Sequence, residues 1–228
     1  MTSISDYIFK DCRSLSTVII PENVTSIGHA AFDGCNNLTS INIPDSITSI
    51  GQFAFNWCGN LTSINIPNNI TSINEYVFWG CRSLTSITIP NTVTSIGSHA
   101  FGLCQGLTSI TIPNSITTIG NGIFSECSGL ISINLPNSVT SIGQFTFKDC
   151  SSLTSIILPE NVNSIGNYAF DGCNSLVSIT LNASTPPLIG DNTLPSNLEH
   201  IYVPATSVEA YAENWRDFAS IISAIPEN

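Results

Sequence analysis

Cysteine is the residue type in this chain best equipped for chemistry, and its eight copies stand at Cys12, Cys35, Cys58, Cys81, Cys104, Cys127, Cys150 and Cys173, always 23 residues apart. Thiolates are nucleophiles and metal ligands, and paired thiols form disulfides. A zinc site needs close pairs of Cys or His, which this spacing does not offer. If each stretch of 23 is one turn of a stacked structure, neighbouring Cβ atoms lie roughly 4.8 Å apart on parallel rather than converging vectors. The column therefore reads first as buried free thiols acting as small apolar residues, with disulfides or a metal column as the alternatives. His29 and His99 are three turns apart, roughly 14 Å along such a stack, too far to share a metal. The acids are scattered, and Asp149 and Asp171 occupy different columns a turn apart. The glycines are periodic rather than gathered into a phosphate-cradling loop. No nucleophile, base and orienting partner share a local motif, so neither an enzyme, a cofactor nor a resident metal is expected.

The elements that must position these residues are copies of one unit. Copies begin at Leu15, Leu38, Leu61, Leu84, Leu107, Leu130 and Leu153, and an eighth opens at Leu176 before its second half departs. Such a period predicts a solenoid, in which each unit buries its apolar side only by stacking on its neighbours. The opening Leu-x-x-Ile-x-Ile-Pro reads as a short half-buried strand with alternate side chains inward. It ends at proline, which has no N–H for a ladder. A short polar residue two positions on (Asn23, Ser46, Asn69, Thr92, Ser115, Ser138 or Asn161) is expected to bond nearby backbone in the turn. A second extended run follows, such as Val93-Thr-Ser-Ile96, then a glycine at Gly28, Gly51, Gly97, Gly120, Gly143 and Gly166 suited to positive φ or close approach. Asn74 replaces it once, as the next best left-handed residue. Each unit closes with a Phe and a Cys three apart, such as Phe101 and Cys104, which one turn of helix would point inward.

The pattern Leu-x-x-Ile-x-Ile-Pro, Val/Ile-Thr-Ser-Ile-Gly, Ala-Phe-x-x-Cys, intact over residues 38–58 and kept over residues 153–173 but for Leu158 and Asn163, resembles the BspA-like (treponeme-type) leucine-rich repeat family along about nine-tenths of the chain. That resemblance implies a curved solenoid, found in surface proteins and used for adhesion or binding to other macromolecules, with the sheet on a concave, ligand-facing side. It does not imply catalysis.

Lys plus Arg number 5 against 16 Asp plus Glu, a formal charge of −11. Without a basic stripe, nucleic acid and anionic lipid are poor partners. No apolar run is long enough to span a membrane, and residues 1–6 show no signal-peptide pattern. An extracellular or cell-surface location is implied by the resemblance alone, and a cytoplasmic one stays open. Asn-x-Ser/Thr sequons occur at Asn23, Asn37, Asn60, Asn69 and Asn182, and matter only in a eukaryotic secretory pathway.

In order, the chain divides into a partial N-terminal repeat (1–14), the solenoid (15–181) and a C-terminal loop, last strand and capping helix (182–228), one elongated domain. The first segment has no preceding strand to cover Ile4 and Phe9, which leaves self-association through this rung open. On the expected outward side of the strands, Ser63, Asn65, Ser86, Thr88, Ser109, Thr111, Ser132 and Asn134 form the candidate binding surface; solvated filler is the bland reading. Ile19 and Ile157 interrupt the polar columns near the two ends, and Ile131 and Val177 sit one position earlier. Trp57, Trp79, Phe53, Tyr76, Phe145 and Tyr168 are expected on the convex side or flank, as core packing or as an aromatic sugar platform. Residues 182–196 read as a loop replacing the usual convex half, and residues 198–204 as a last rung. Thr206 to Glu209 reads as a capping box for a helix whose Val208, Tyr211, Ala212, Trp215 and Phe218 would cover the open end. Residues 221–225 can close as an edge segment.

The expectation is a non-enzymatic module that presents a Ser/Thr/Asn-rich sheet to a protein or glycan partner, such as extracellular matrix or a host cell surface. A structural spacer or self-assembly segment is the alternative, and an ice- or ordered-water-binding face a weaker one.

Overall fold

The computed structural model describes residues 2–226; Met1, Glu227 and Asn228, at the edges of the two terminal segments, lie outside the described residues. Every strand pairing is parallel, and most partners are one repeat apart, as in Ser40 with Ser63 and Ser141 with Ser164. Two sheets result. The first carries Ser40–Ile41 on Ser63–Ile64, Ser109–Thr111 on Ser132–Asn134, and a four-stranded run of Ser155–Leu158, Ser178–Leu181, His200–Val203 and Ile222–Ala224. The second carries Ser3–Ile4, Ser26–Ile27 and Ser49–Ile50, then Ser72–Ile73 on Ser95–Ile96, then Thr118–Ile119, Ser141–Ile142, Ser164–Ile165 and Leu188–Ile189. First-sheet strands stay short because a proline follows each within a few residues, as Pro44 follows Ser40–Ile41. The proline carbonyl then accepts the N–H three residues on, as in Ile47 N–H to Pro44 at 3.0 Å and Val93 N–H to Pro90 at 3.0 Å.

One apolar cluster runs the length of the stack, from Ile20 to Trp215. Its spine is a column of phenylalanine rings, Phe9, Phe32, Phe55, Phe78, Phe101, Phe124, Phe147 and Phe170, stacked nearly parallel at centroid spacings from 5.2 to 5.8 Å. Beside it the cysteines are free, as the repeat predicts, and all but Cys12 are buried. Each buried thiol donates to a phenylalanine carbonyl one rung back, for example Cys58 Sγ to Phe32 at 3.2 Å and Cys127 Sγ to Phe101 at 3.0 Å. A small apolar group that also satisfies a buried carbonyl suits this position.

Several local expectations need correction. The Phe-x-x-Cys segment is not a turn of helix: it is built around two left-handed residues four apart in each regular unit, such as Phe53 (φ 59°) and Trp57 (φ 54°), or His99 and Leu103 (both 57°). A left-handed residue costs about 1–2 kcal/mol. The compensation is a dense bond set, with Asn56 N–H on the Phe53 carbonyl and Trp57 N–H on the Trp79 carbonyl of the next rung. The glycines after the second strand do not have positive φ; they answer to close approach, since a Cβ on Gly143 would lie 2.6 Å from the Gly120 carbonyl carbon. Asn74 is not left-handed either, and its amide bonds the Ile50 carbonyl at 2.6 Å. The polar residues after proline reach the preceding rung rather than their own turn, as in Ser46 Oγ to Val24 and Thr92 Oγ1 to Ile70.

At the C-terminal end, residues 182–196 are not wholly loop, because Leu188–Ile189 continues the second sheet. The last rung His200–Val203 and the tail strand Ile222–Ala224 form as expected. Between them lies a helix over Val208–Asn214, followed by a tighter 3-10 turn over Arg216–Ile221 that holds Phe218. No side-chain cap forms: Ser207 Oγ bonds the Ser184 carbonyl instead. Tyr211 and Trp215 are buried and bond the Ala183 and Pro187 carbonyls at 2.9 and 3.1 Å.

Candidate functional site

The first sheet places all eight candidate residues, Ser63, Asn65, Ser86, Thr88, Ser109, Thr111, Ser132 and Asn134, at exposed positions, because strand alternation sends their neighbours Ile64, Ile87 and Ile110 into the core. Ser109 and Thr111 pair directly with Ser132 and Asn134. Residues 84–90 run alongside without regular ladder bonds. There Ser86, Thr88, Ser109 and Thr111 line one shallow cleft of about 320 Å³. Ser132 and Asn134 line a second of about 370 Å³ with Ile157 and Asn182. Asn65 is not free for a ligand in the same way: its amide closes on Ile43, accepting from the N–H at 3.0 Å and donating to the carbonyl at 2.7 Å. Thr62 and Thr85, one position before Ser63 and Ser86, also spend their hydroxyl protons inside the stack, on the Thr39 carbonyl at 3.1 Å and the Thr62 carbonyl at 3.5 Å.

Exposed apolar residues sit mostly at the C-terminal half of this face. Ile131, Ile157 and Val177 are 53%, 60% and 43% exposed. Beyond them His200 and Tyr202 stack with centroids 5.5 Å apart. His200 faces Ser178 in the ladder, yet among the described residues no hydrogen bond joins their side chains.

The flank holds a feature that sequence reasoning placed but did not resolve. The aromatic residues of this flank are not core: they form a half-exposed ladder in which Tyr7, His29, Phe53, Tyr76 and His99 follow one another at 4.8 to 5.4 Å. Phe145 and Tyr168 stack at 5.4 Å further along. Trp57 lies under the Arg82 guanidinium, 5.0 Å from the ring centroid. Phe53, Tyr76 and His99 stack and cover one another's faces, while Tyr7 and His29 meet their neighbours edge to face, so the stacked part is no open platform for a sugar. The signal was present in the sequence as aromatic residues recurring at the full period.

Electrostatics point away from thiol or acid-base chemistry. Burial pushes the Cys81, Cys127 and Cys173 thiols up to about 12, far from the thiolate form. Partial burial lowers the pKa of His99 against the opposing pull of Glu75 and Glu126. The cations Lys10 and Lys148 are paired with Asp33 and Asp171. Among the described residues no cluster of His, Cys, Asp and Glu could hold a metal ion, and no helix is long and apolar enough to cross a membrane.

Comparison with known proteins agrees with this geometry. No curated protein matches the chain. Among solved structures, it is similar to a leucine-rich repeat protein from Bacteroides ovatus, at 30% identity and a TM-score of 0.67, covering 82% of this chain and 63% of that one. It is similar to the Treponema pallidum leucine-rich repeat protein at 30% identity and a TM-score of 0.61, covering 77% and 72%. A leucine-rich cell surface protein from Faecalibacterium prausnitzii matches at 28% identity and a TM-score of 0.54, covering 79% and 63%. This chain thus spans less than two thirds of the Bacteroides ovatus protein's length. The description "BspA type leucine rich repeat region" fits residues 2–131 and 117–215 in six copies. Those matches take in most of the repeats described above, and the chain belongs to the BspA-type leucine-rich repeat family.

Proposed function

We propose that this chain is a non-enzymatic recognition module at a cell surface, which uses the outward, concave face of its first sheet to hold a protein partner such as an extracellular matrix or host surface component. One observation carries the reading: an uncharged row of side chains, fixed by the sheet at one rung spacing, passes from hydroxyl and amide groups around Ser86 and Thr111 to exposed Ile131, Ile157 and Val177. A preorganised surface loses little entropy on binding. Apolar residues set among hydrogen-bonding groups are what a protein interface core and rim require. The family and its surface-protein relatives support the location.

The test is binding to an immobilised panel of matrix proteins and glycans, with a variant carrying lysine at Ser86, Thr88, Ser109 and Thr111. All four side chains point outward, so folding is expected to survive. Binding should be saturable in the parent and fall by about a hundredfold or more in the variant, given four mismatched contacts. Unchanged affinity in the variant would remove this face from the account.

A second reading, assembly through the first rung, rests on a separate observation. Ile4, Ile8, Phe9, Val18, Ile19 and Ile20 line an almost wholly apolar cleft at that end, and Ile19 is 93% exposed.

A further inference from the structure

The repeat is broken once, and a cleft opens at the break. The second-sheet pairing of Ser164 with Leu188 is 24 residues apart rather than 23. The turn that follows runs only from Gly190 to Leu198, where the preceding one runs from Gly166 to Leu176. The shortened turn covers the rung before it only in part: Tyr168 and Phe170 still donate their N–H groups to the Asp191 and Thr193 carbonyls, each at 2.9 Å. In the earlier rungs, the second left-handed residue donates its N–H to the next turn, as Glu126 does to Lys148 and Asp149 to Asp171. The equivalent residue here, Gly172, has no such acceptor among the described residues. Gly172 lines a cleft of about 510 Å³ with Tyr168, Asp171, Asn174, Asn192 and Leu194.

We propose that this cleft binds an uncharged sugar. Its volume is that of a small-molecule site, but its lining is dominated by the amides of Asn174, Asn192 and Asn197, a carboxylate at Asp171 and a hydroxyl at Ser196, which suits a polyhydroxylated ligand better than an apolar one. Tyr168 is half-buried, and its one stacking partner is Phe145 of the previous rung; the next rung offers Asn192 rather than a ring. It therefore contributes aromatic surface to the cleft, where the C–H face of a pyranose can pack. Asp171 shares Lys148 with Asp149, so the site carries no net cationic charge for an anionic sugar or a phosphate. The rim is held open by Asn197, whose amide donates to the Asn174 and Leu176 carbonyls, each at 3.1 Å.

The repeat supplies its own fold-preserving variants. Alanine already occupies the position of Tyr168 six rungs earlier, as Ala30 with φ 49°, and Ser151 occupies the position of Asn174 one rung earlier. Calorimetric and saturation-transfer titrations should use neutral hexoses, N-acetylhexosamines, their methyl glycosides and short oligosaccharides, with an anionic sugar as control. At least one neutral probe should saturate the parent protein. Tyr168→Ala should weaken it about tenfold, the scale of a lost aromatic contact, and Asn174→Ser by a smaller factor, with both melting curves unchanged. The four-lysine variant of the first sheet should bind the sugar normally, which separates this site from the sheet-face reading. Failure of every neutral probe, preference for the anionic control, or equal binding by Tyr168→Ala and Asn174→Ser would overturn the proposal.

Discussion

Each buried thiol does two jobs at once, filling a small apolar slot and giving a phenylalanine carbonyl a second donor beside the cysteine N–H of its own rung, as Phe78 O takes from Cys81 N–H at 3.1 Å. Cys104 Sγ meets Phe78 O at 3.2 Å and Cys150 Sγ meets Phe124 O at 3.1 Å. Burial raises Cys35 to about 11 and pushes Cys58 well above the ordinary thiol range. Titration of the native protein with a disulfide thiol reagent near neutral pH should therefore modify Cys12, the half-exposed member, and leave the other seven until denaturant is added. Rapid native reaction of several thiols would contradict the buried column. The same residue scale explains why aromatic side chains tolerate left-handed backbone here. The turn is over-determined by bonds within and between rungs, so about 1–2 kcal/mol of strain per residue is accommodated.

Among elements, the second strand and the turn after it are joined through glycine, and the reason can be tested by contrast. A Cβ on Gly143 would lie 2.6 Å from the Gly120 carbonyl carbon and 2.7 Å from Asn121 N, whereas a Cβ on Gly120 meets nothing nearer than Ile123 Cδ1 at 3.6 Å. Neither glycine has positive φ. Gly143→Ala should cost about 2–3 kcal/mol by forcing two rungs apart, while Gly120→Ala should be within about 0.5 kcal/mol of neutral or slightly stabilising. Chemical denaturation of the two variants reads the difference; equal effects would mean that glycine serves backbone freedom rather than rung spacing. The periodic glycine was legible in the sequence, but its purpose was not, because positive φ and close approach leave the same letter.

The whole molecule has unlike ends. At the C-terminal end the apolar stack is closed by Ile222–Ala224, Tyr211 and Trp215. The first rung presents Tyr7, Ile8 and Ile19 at 53%, 46% and 93% exposure around an apolar cleft. Exposed apolar surface beside an unpaired strand edge favours association. In sedimentation experiments on the 228-residue chain, the parent should show a concentration-dependent dimer, and Ile8→Lys with Ile19→Lys should hold it monomeric without loss of melting temperature, since both side chains are already in solvent. A monomer at every concentration would leave the spacer and assembly reading without support.

The sequence by itself determined the period, the strand and turn order, which residues face the core, the free-thiol column and the family, because a solenoid repeats one local solution and periodicity records it directly. Tertiary structure decided what depends on a neighbour one rung away. Asn65 is tied to Ile43 and Ser46 reaches Val24, since bonds between rungs cannot be told from bonds within a turn in a single repeat. The capping box at Thr206 gave way because Ser207 found a carbonyl at Ser184. The aromatic ladder became flank rather than core because the spine already filled the interior. The cleft beside Tyr168 arises from a turn two residues short, whose consequence appears only when that turn is laid against the full-length turn before it.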